Sequence, residues 1–214
     1  MVETVLFDLD GTLTDPFLGI TNSFYYALEK LGIPAPQRET MKTLIGPPLR
    51  DGFRTRFGVA EENIEHAVAL YREHFSVTGL YENTVYPGVP EMLEALKSNG
   101  KRMAVATNKA AVYAQKILDH FGLLPYFDFV SGSELDGRRG TKPEAIRYAL
   151  ENLGTQPAGA IIVGDRNIDI LGAKETGLHS SIAVLYGYGS RDELEAAGAT
   201  VFAETAEDIV KLLI

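Results

Sequence analysis

The chain contains no cysteine. Disulfides, thiolate catalysis and Cys-ligated zinc or iron–sulfur centres are thereby excluded, and a reducing compartment suits it. It also lacks any apolar run near the roughly 20 residues that a membrane-spanning helix needs. Its first residues do not show the basic segment followed by an apolar stretch that marks a secretory signal. A soluble, cytoplasmic protein that engages no membrane is expected. Positive charge is in short supply: 20 Lys and Arg against 29 Asp and Glu give a net −9. That balance argues against a nucleic-acid polymer as partner and serves solubility. No internal repeat or low-complexity tract interrupts the chain. What remains is ordinary for a globular protein: 214 residues, 45% hydrophobic and 23% charged. This suffices for one large domain, or for a core domain carrying a smaller inserted one.

Five apolar runs read as strands: VETVLFDL near the N-terminus, RMAVAT (102–107), FDFVSG (127–132), AIIVGD (160–165) and SIAVLYG (181–187). They are nearly continuous in apolar residues, the pattern of strands covered on both faces in a parallel sheet. Helices are expected between them. Over 89–99, Val89, Met92, Leu93 and Leu96 recur at helical spacing, and 110–121, 143–152 and 167–176 read likewise. Ser190 and Glu193 have capping-box spacing for a further helix. The alternation predicts a doubly wound α/β sheet. Residues 16–83 break it: they hold helical stretches near 19–31, 48–57 and 62–75 separated by the turns LGIPAP and IGPP. We expect a helical domain there, inserted into a core made of 1–15 and 84–214.

In an open α/β sheet, ligands bind beyond the carboxyl ends of the strands. Four expected strands end there in polar groups: Asp8 and Asp10; Thr107 and Asn108; Asp165, with Asp169 four residues on; and Lys142, after the third strand and before Pro143, the expected first residue of a helix. Each alone has a plain reading. Asp8 and Asp10 could be a solvated turn pair, and Thr107-Asn108 a helix start. Lys142 could be a solvent-exposed loop residue, and Asp169 an acid favoured by a helix dipole. Taken together, three or four carboxylates at one end of a sheet call for a cation. With oxygen donors and no thiols, Mg²⁺ suits best. The hydroxyl, amide and lysine then suit phosphate oxygens, and the set suggests phosphoryl transfer.

DLDGTLTD, VATNK, the lysine of GTKPE, and VGDRNID resemble, in order, the four motifs of the haloacid dehalogenase-like (HAD) hydrolases. Within that superfamily the chain is similar to the phosphoglycolate phosphatase-like and 5′-nucleotidase-like members with a helical cap. The resemblance implies a Rossmann-like core and roles for particular residues. Asp8 would be the nucleophile that becomes an aspartyl phosphate. Asp10 would protonate the leaving oxygen and then activate water. Mg²⁺ would be held by Asp8, the backbone carbonyl of Asp10, and Asp165, with Asp169 as ligand or support. Thr107, Asn108 and Lys142 would bind the phosphoryl oxygens, and Gly11 and Thr12 would shape the turn. Arg166 departs from the small hydroxyl residue that many relatives carry; it could face substrate, pair with a cap carboxylate or be exposed, and a structural pairing is favoured.

The cap is expected to choose the substrate, a small phosphorylated metabolite. Residues 38–56 hold Arg38, Lys42, Arg50, Arg54 and Arg56 against Glu39 and Asp51, a net +3 in an acidic chain. Arg50, in IGPPLR, is the expected substrate contact, a solvated helix face being the plainer reading. The competing readings are a phosphomutase of the β-phosphoglucomutase type and a phosphate-accepting signalling or binding module. A true dehalogenase is disfavoured, because Asp10 as a second acid/base fits phosphoryl chemistry. The chain is expected to be a monomer or a homodimer.

Overall fold

A computed structural model describes residues 3–214, so Val2 of the expected first strand lies outside the described residues. In chain order the core begins with β1 (Thr4–Phe7) and the two-residue β2 (Thr14–Asp15). It resumes with β3 (Thr84–Val85) after a helical segment containing α1 (Phe17–Leu31), α2 (Leu49–Asp51) and α3 (Ile64–His74). There follow α4 (Val89–Ser98), β4 (Arg102–Ala110), α5 (Ala111–His120), β5 (Phe129–Ser133), α6 (Lys142–Leu153) and β6 (Ala160–Gly164). The chain closes with α7 (Asn167–Thr176), β7 (Ser180–Val184), α8 (Arg191–Ala197), β8 (Phe202–Ala203) and α9 (Ala206–Leu213). Two compact units result: one of the residues up to Asp15 together with Val85–Ile214, the other of Pro16–Thr84.

The core unit carries a six-stranded sheet in the order β5-β4-β1-β6-β7-β8, every pairing parallel. β1 lies between β4 and β6, with Phe7 in register with Val105 and Val163. The chain goes to one side of β1 for β4 and β5 and to the other for β6, β7 and β8. Such a switch point opens a crevice at the strands' carboxyl ends. Val5, Leu6 and Phe7 have no exposed surface. Leu6 packs with Ala104, Ile146, Ala149 and Ile162 on the side covered by α6, while Phe7 meets Phe127 edge-on at 6.1 Å. Burial on both sides accounts for the unbroken apolar reading of these strands.

The structure moves several expected boundaries. β4 runs on through Asn108 to Ala110, where a helix start was expected, after a shift of register past Ala106. Gly132 makes this possible, since a Cβ there would lie 2.4 Å from the Lys109 carbonyl oxygen. α6 begins at Lys142, not Pro143, with Thr141 as its cap and the Thr141 amide donating to Glu144. β7 stops at Val184, short of Gly187. β8 and α9 had no counterpart in the reading of the sequence.

In the helical unit, α1 ends at Gly32, whose φ of 68° permits the closing turn, with Ile33 N donating to Leu28 O. The stretch read as a helix at 48–57 is the short α2 followed by a π-helical turn over Gly52–Arg56. Phe24 holds this unit together, its ring centroid 5.0 Å from those of both Phe53 and Tyr71, and Tyr71 stacks on Phe75 at 5.3 Å. Among the described residues no helix is long and apolar enough to cross a membrane.

Candidate active site

Strand β1 delivers Asp8 and then the chain turns at once. Asp8 N still donates to Val163 O of β6 (2.9 Å), whereas Leu13 N and Thr14 N both return to Leu9 O (2.9 and 3.1 Å). Gly11 sits at φ 86°, and a Cβ there would come within 2.1 Å of Asp165 Oδ2. Glycine is therefore needed twice over, for the left-handed backbone and for the close approach.

At the carboxyl ends of β1 and β6, Asp8, Asp165 and Asp169 gather, each offering an oxygen within 4.8 Å of the others, and all three are buried. The Lys142 ammonium lies 2.8 Å from Asp8 Oδ1 and 2.9 Å from Asp169 Oδ1, and it donates to Ala106 O at 2.9 Å. Burial works against the lysine's charge, but Asp169 and Asp8 outweigh it and hold its pKa above the ordinary value. Three carboxylates against one ammonium leave a formal −2 in a dry pocket. The carboxyls register the strain. Burial, reinforced by Asp169 and Asp8, raises Asp165 well above the usual carboxylate range, while burial against the counter-pull of Lys142 leaves Asp169 pushed up to about 6. A divalent cation fits this donor set: hard oxygens, a matching charge deficit, and no competing thiol or imidazole in the trio.

Backbone amides and one hydroxyl also hold the trio. Leu9 N donates to Asp8 Oδ1 (2.8 Å), the same oxygen that Lys142 meets. Asp165 accepts from Thr12 Oγ1 (3.4 Å) at one oxygen and from Tyr188 N (2.8 Å) at the other. Asp169 Oδ2 accepts from Arg166 N (3.0 Å) at the start of α7.

Asp10 stands apart from the trio. Its Oδ1 is 2.7 Å from Lys109 Nζ, and both side chains are almost fully buried. Burial raises the Asp10 carboxyl above its ordinary pKa, with Lys109 pulling the other way. Thr107, buried within β4 where the register shifts past Ala106, accepts from Lys109 N at 3.2 Å, and Asn108 lies half-buried between them. Thus the structure brings together Asp8, Asp10, Gly11, Thr12, Thr107, Asn108, Lys142, Asp165 and Asp169. Arg50 belongs to the helical unit, where its guanidinium forks onto Glu65 with contacts of 2.6 and 2.9 Å. Arg166 is ion-paired, with Nε 2.9 Å from Glu193 Oε1, an oxygen that also accepts from Asn167 N.

Three contributors escaped the reading of the sequence. Lys109 was visible in VATNK but carried no role. The segment Tyr186–Gly189 clasps the site: Tyr186 OH donates to Thr12 O (3.0 Å), the Tyr188 hydroxyl donates to Asp15, and a Cβ on Gly189 would meet Asp165 O at 2.0 Å. Its signal was the pair of glycines in YGYGS. Glu193 had capping-box spacing, and Ser190 does accept from Glu193 N (3.1 Å), yet the Glu193 carboxylate turns to Arg166 and α7 instead.

A family model for "Haloacid dehalogenase-like hydrolase" matches residues 5–184. The chain belongs to this family. Among its haloacid dehalogenase-like relatives is a protein named 5′-nucleotidase from Pseudomonas aeruginosa, 48% identical over 192 residues, covering 90% of this chain and 86% of the relative. Another, the tyrosine-protein kinase PtkA of Mycobacterium tuberculosis, is 37% identical over 204 residues, covering 95% of this chain and 69% of that one. The crystal structure of a predicted phosphatase from Clostridium acetobutylicum superposes with a TM-score of 0.96 at 41% identity, covering 100% and 98% of the two chains. The chain is a phosphatase of the haloacid dehalogenase-like family, built on the family's parallel α/β core.

Proposed function

We propose that the enzyme is a Mg²⁺-dependent phosphatase of small phosphomonoesters, phosphoglycolate-like acids or nucleoside monophosphates, working through an aspartyl phosphate on Asp8. One observation carries the reading: a buried trio, Asp8, Asp165 and Asp169, pinned by Lys142, beside a fourth carboxylate, Asp10, held separately by Lys109. Asp8, Asp165, Asp169 and the Asp10 carbonyl would hold Mg²⁺, which when bound supplies charge neutralisation at the phosphoryl group.

The rest is done by the chain. Asp8 Oδ2 attacks phosphorus; the P–O ester bond breaks, and its electron pair leaves on the alcohol oxygen, which takes the proton of Asp10. Water then attacks the phosphorus of the aspartyl phosphate and gives a proton back to Asp10, releasing phosphate and restoring Asp8. The raised pKa of Asp10 suits a group that must carry that proton. Lys142 offsets the charge at Asp8, and Thr107 and Asn108 offer donors to phosphoryl oxygens.

The test is a phosphate-release panel with phosphoglycolate, nucleoside monophosphates, sugar phosphates and pyrophosphate. It is run with Mg²⁺ and with chelator, with Asp8→Asn as control. Release that survives Asp8→Asn rejects the mechanism. The product separates the other acceptors: an isomerised sugar phosphate marks the mutase, a phosphorylated tyrosine the chemistry in the name of the mycobacterial relative, and a stable phosphoprotein a signalling module.

A further inference from the structure

We propose that Lys109 is the positioning residue for Asp10, holding its carboxylate where it can serve the leaving oxygen. The inference rests on the reading of Asp10 as the proton donor. Asp10 lies beyond the end of β1, in the turn, where its backbone makes a single isolated bridge to Thr14. The site's other lysine is not available to do so, because Lys142 already meets Asp8, Asp169 and the Ala106 carbonyl. Lys109 reaches Asp10 Oδ1 at 2.7 Å with the two side chains only 7% and 10% exposed. A pair so withdrawn from water is held far more firmly than a surface ion pair.

The backbone beneath Lys109 is built for the purpose. The register of β4 shifts beyond Ala106, and Lys109 N donates to Thr107 Oγ1 at 3.2 Å. The Lys109 carbonyl lies where only a glycine at 132 can face it, a Cβ there coming within 2.4 Å. One irregular strand end therefore sets both Thr107 and the lysine over Asp10. The two carboxylates of DLD are divided between two lysines, Lys109 of β4 and Lys142 at the start of α6.

The experiment compares kcat/KM on an aryl phosphate with a good leaving group (p-nitrophenyl phosphate) and on an alkyl phosphate with a poor one. The enzymes are wild type, Asp10→Asn, Lys109→Met and Lys109→Arg, with melting temperature recorded for each. A misplaced proton donor harms the poor leaving group selectively. We expect Lys109→Met to lose about 10²-fold more on the alkyl than on the aryl substrate, as general acid catalysis supplies about that much. Asp10→Asn should share this signature and Lys109→Arg should recover most of the loss. Equal losses on both substrates in Lys109→Met, or in Lys109→Gln should the first not fold, while Asp10→Asn discriminates, overturn the proposal. An Asp10→Asn variant that does not discriminate removes the reading of Asp10, and the proposal with it.

Discussion

Lys142 Nζ lies 2.8 Å from Asp8 Oδ1, with the two side chains only 1% and 2% exposed to solvent. Removing one member of such a buried pair leaves the other charge uncompensated, at a cost of about 3–5 kcal/mol. Lys142→Met should lose about that much stability in urea unfolding of the metal-free protein, and Mg²⁺ should restore part of it. Activity should vanish. Unchanged stability would mean that the ammonium does not hold the trio together.

The carboxyl trio sets a pH dependence. Asp169 is raised from 3.8 to about 6 in the folded chain. Between those values the native state binds more protons than the unfolded one, so unfolding free energy falls as pH rises through that window. Asp165 shifts in the same direction. Without metal, stability should therefore decline from about pH 4 to about pH 6. The decline should shrink with Mg²⁺, which favours the ionised carboxylates, and with Asp169→Asn. A metal-free protein that gains stability across that window would contradict the assignment.

Gly187 lets the Tyr186–Gly189 segment close on the metal-ligand candidates. A Cβ there would sit 2.3 Å from Asp165 Cβ and 2.4 Å from Gly11 O. Gly187→Ala should cost about 1–3 kcal/mol by overpacking and should weaken Mg²⁺ binding, read as a reduced shift of melting temperature on titration with the ion. Wild-type values for both would show that the clasp is dispensable.

Arg50 tests the proposed choice of substrate. Its guanidinium is already forked onto Glu65, just as Arg54 meets Asp51 and Glu61. An anionic group on the substrate must compete with Glu65 for it. We expect Arg50→Ala to raise KM for the best substrate far more than it lowers kcat, the mark of lost ground-state binding. An unchanged KM would assign the arginine to the helical unit's own ion pairs.

What was legible in the sequence follows from how local the signals are. β1, β4 and β6 are covered on both faces and read as unbroken apolar runs, so the polar residues at their ends, Asp8, Thr107 and Asp165, stood out. β8 did not, because Phe202–Ala203 is a two-residue strand at the sheet's edge, too short for any periodicity. α9 was legible but passed over: Ala206, Ile209, Val210 and Leu213 recur at helical spacing, and the Thr205 hydroxyl accepts from Asp208 N at its start. Lys109 lay in plain view, but its contact with Asp10 spans 99 positions and depends on a break of register in β4 that no composition reveals. Arg166 had three open readings; it is ion-paired, but to Glu193 of α8 in the core unit and not to the cap carboxylate expected.

The central claim is that Asp8 carries the phosphoryl group. Acid-quenching the enzyme during turnover of a substrate labelled in its phosphate, then mapping the peptides, tests it directly. We expect the label on Asp8, lost in Asp8→Asn and in the presence of chelator, and conversion of that residue to homoserine when the quenched enzyme is reduced with borohydride. Label on Asp10 or on no residue, with phosphate release undiminished, would contradict the account.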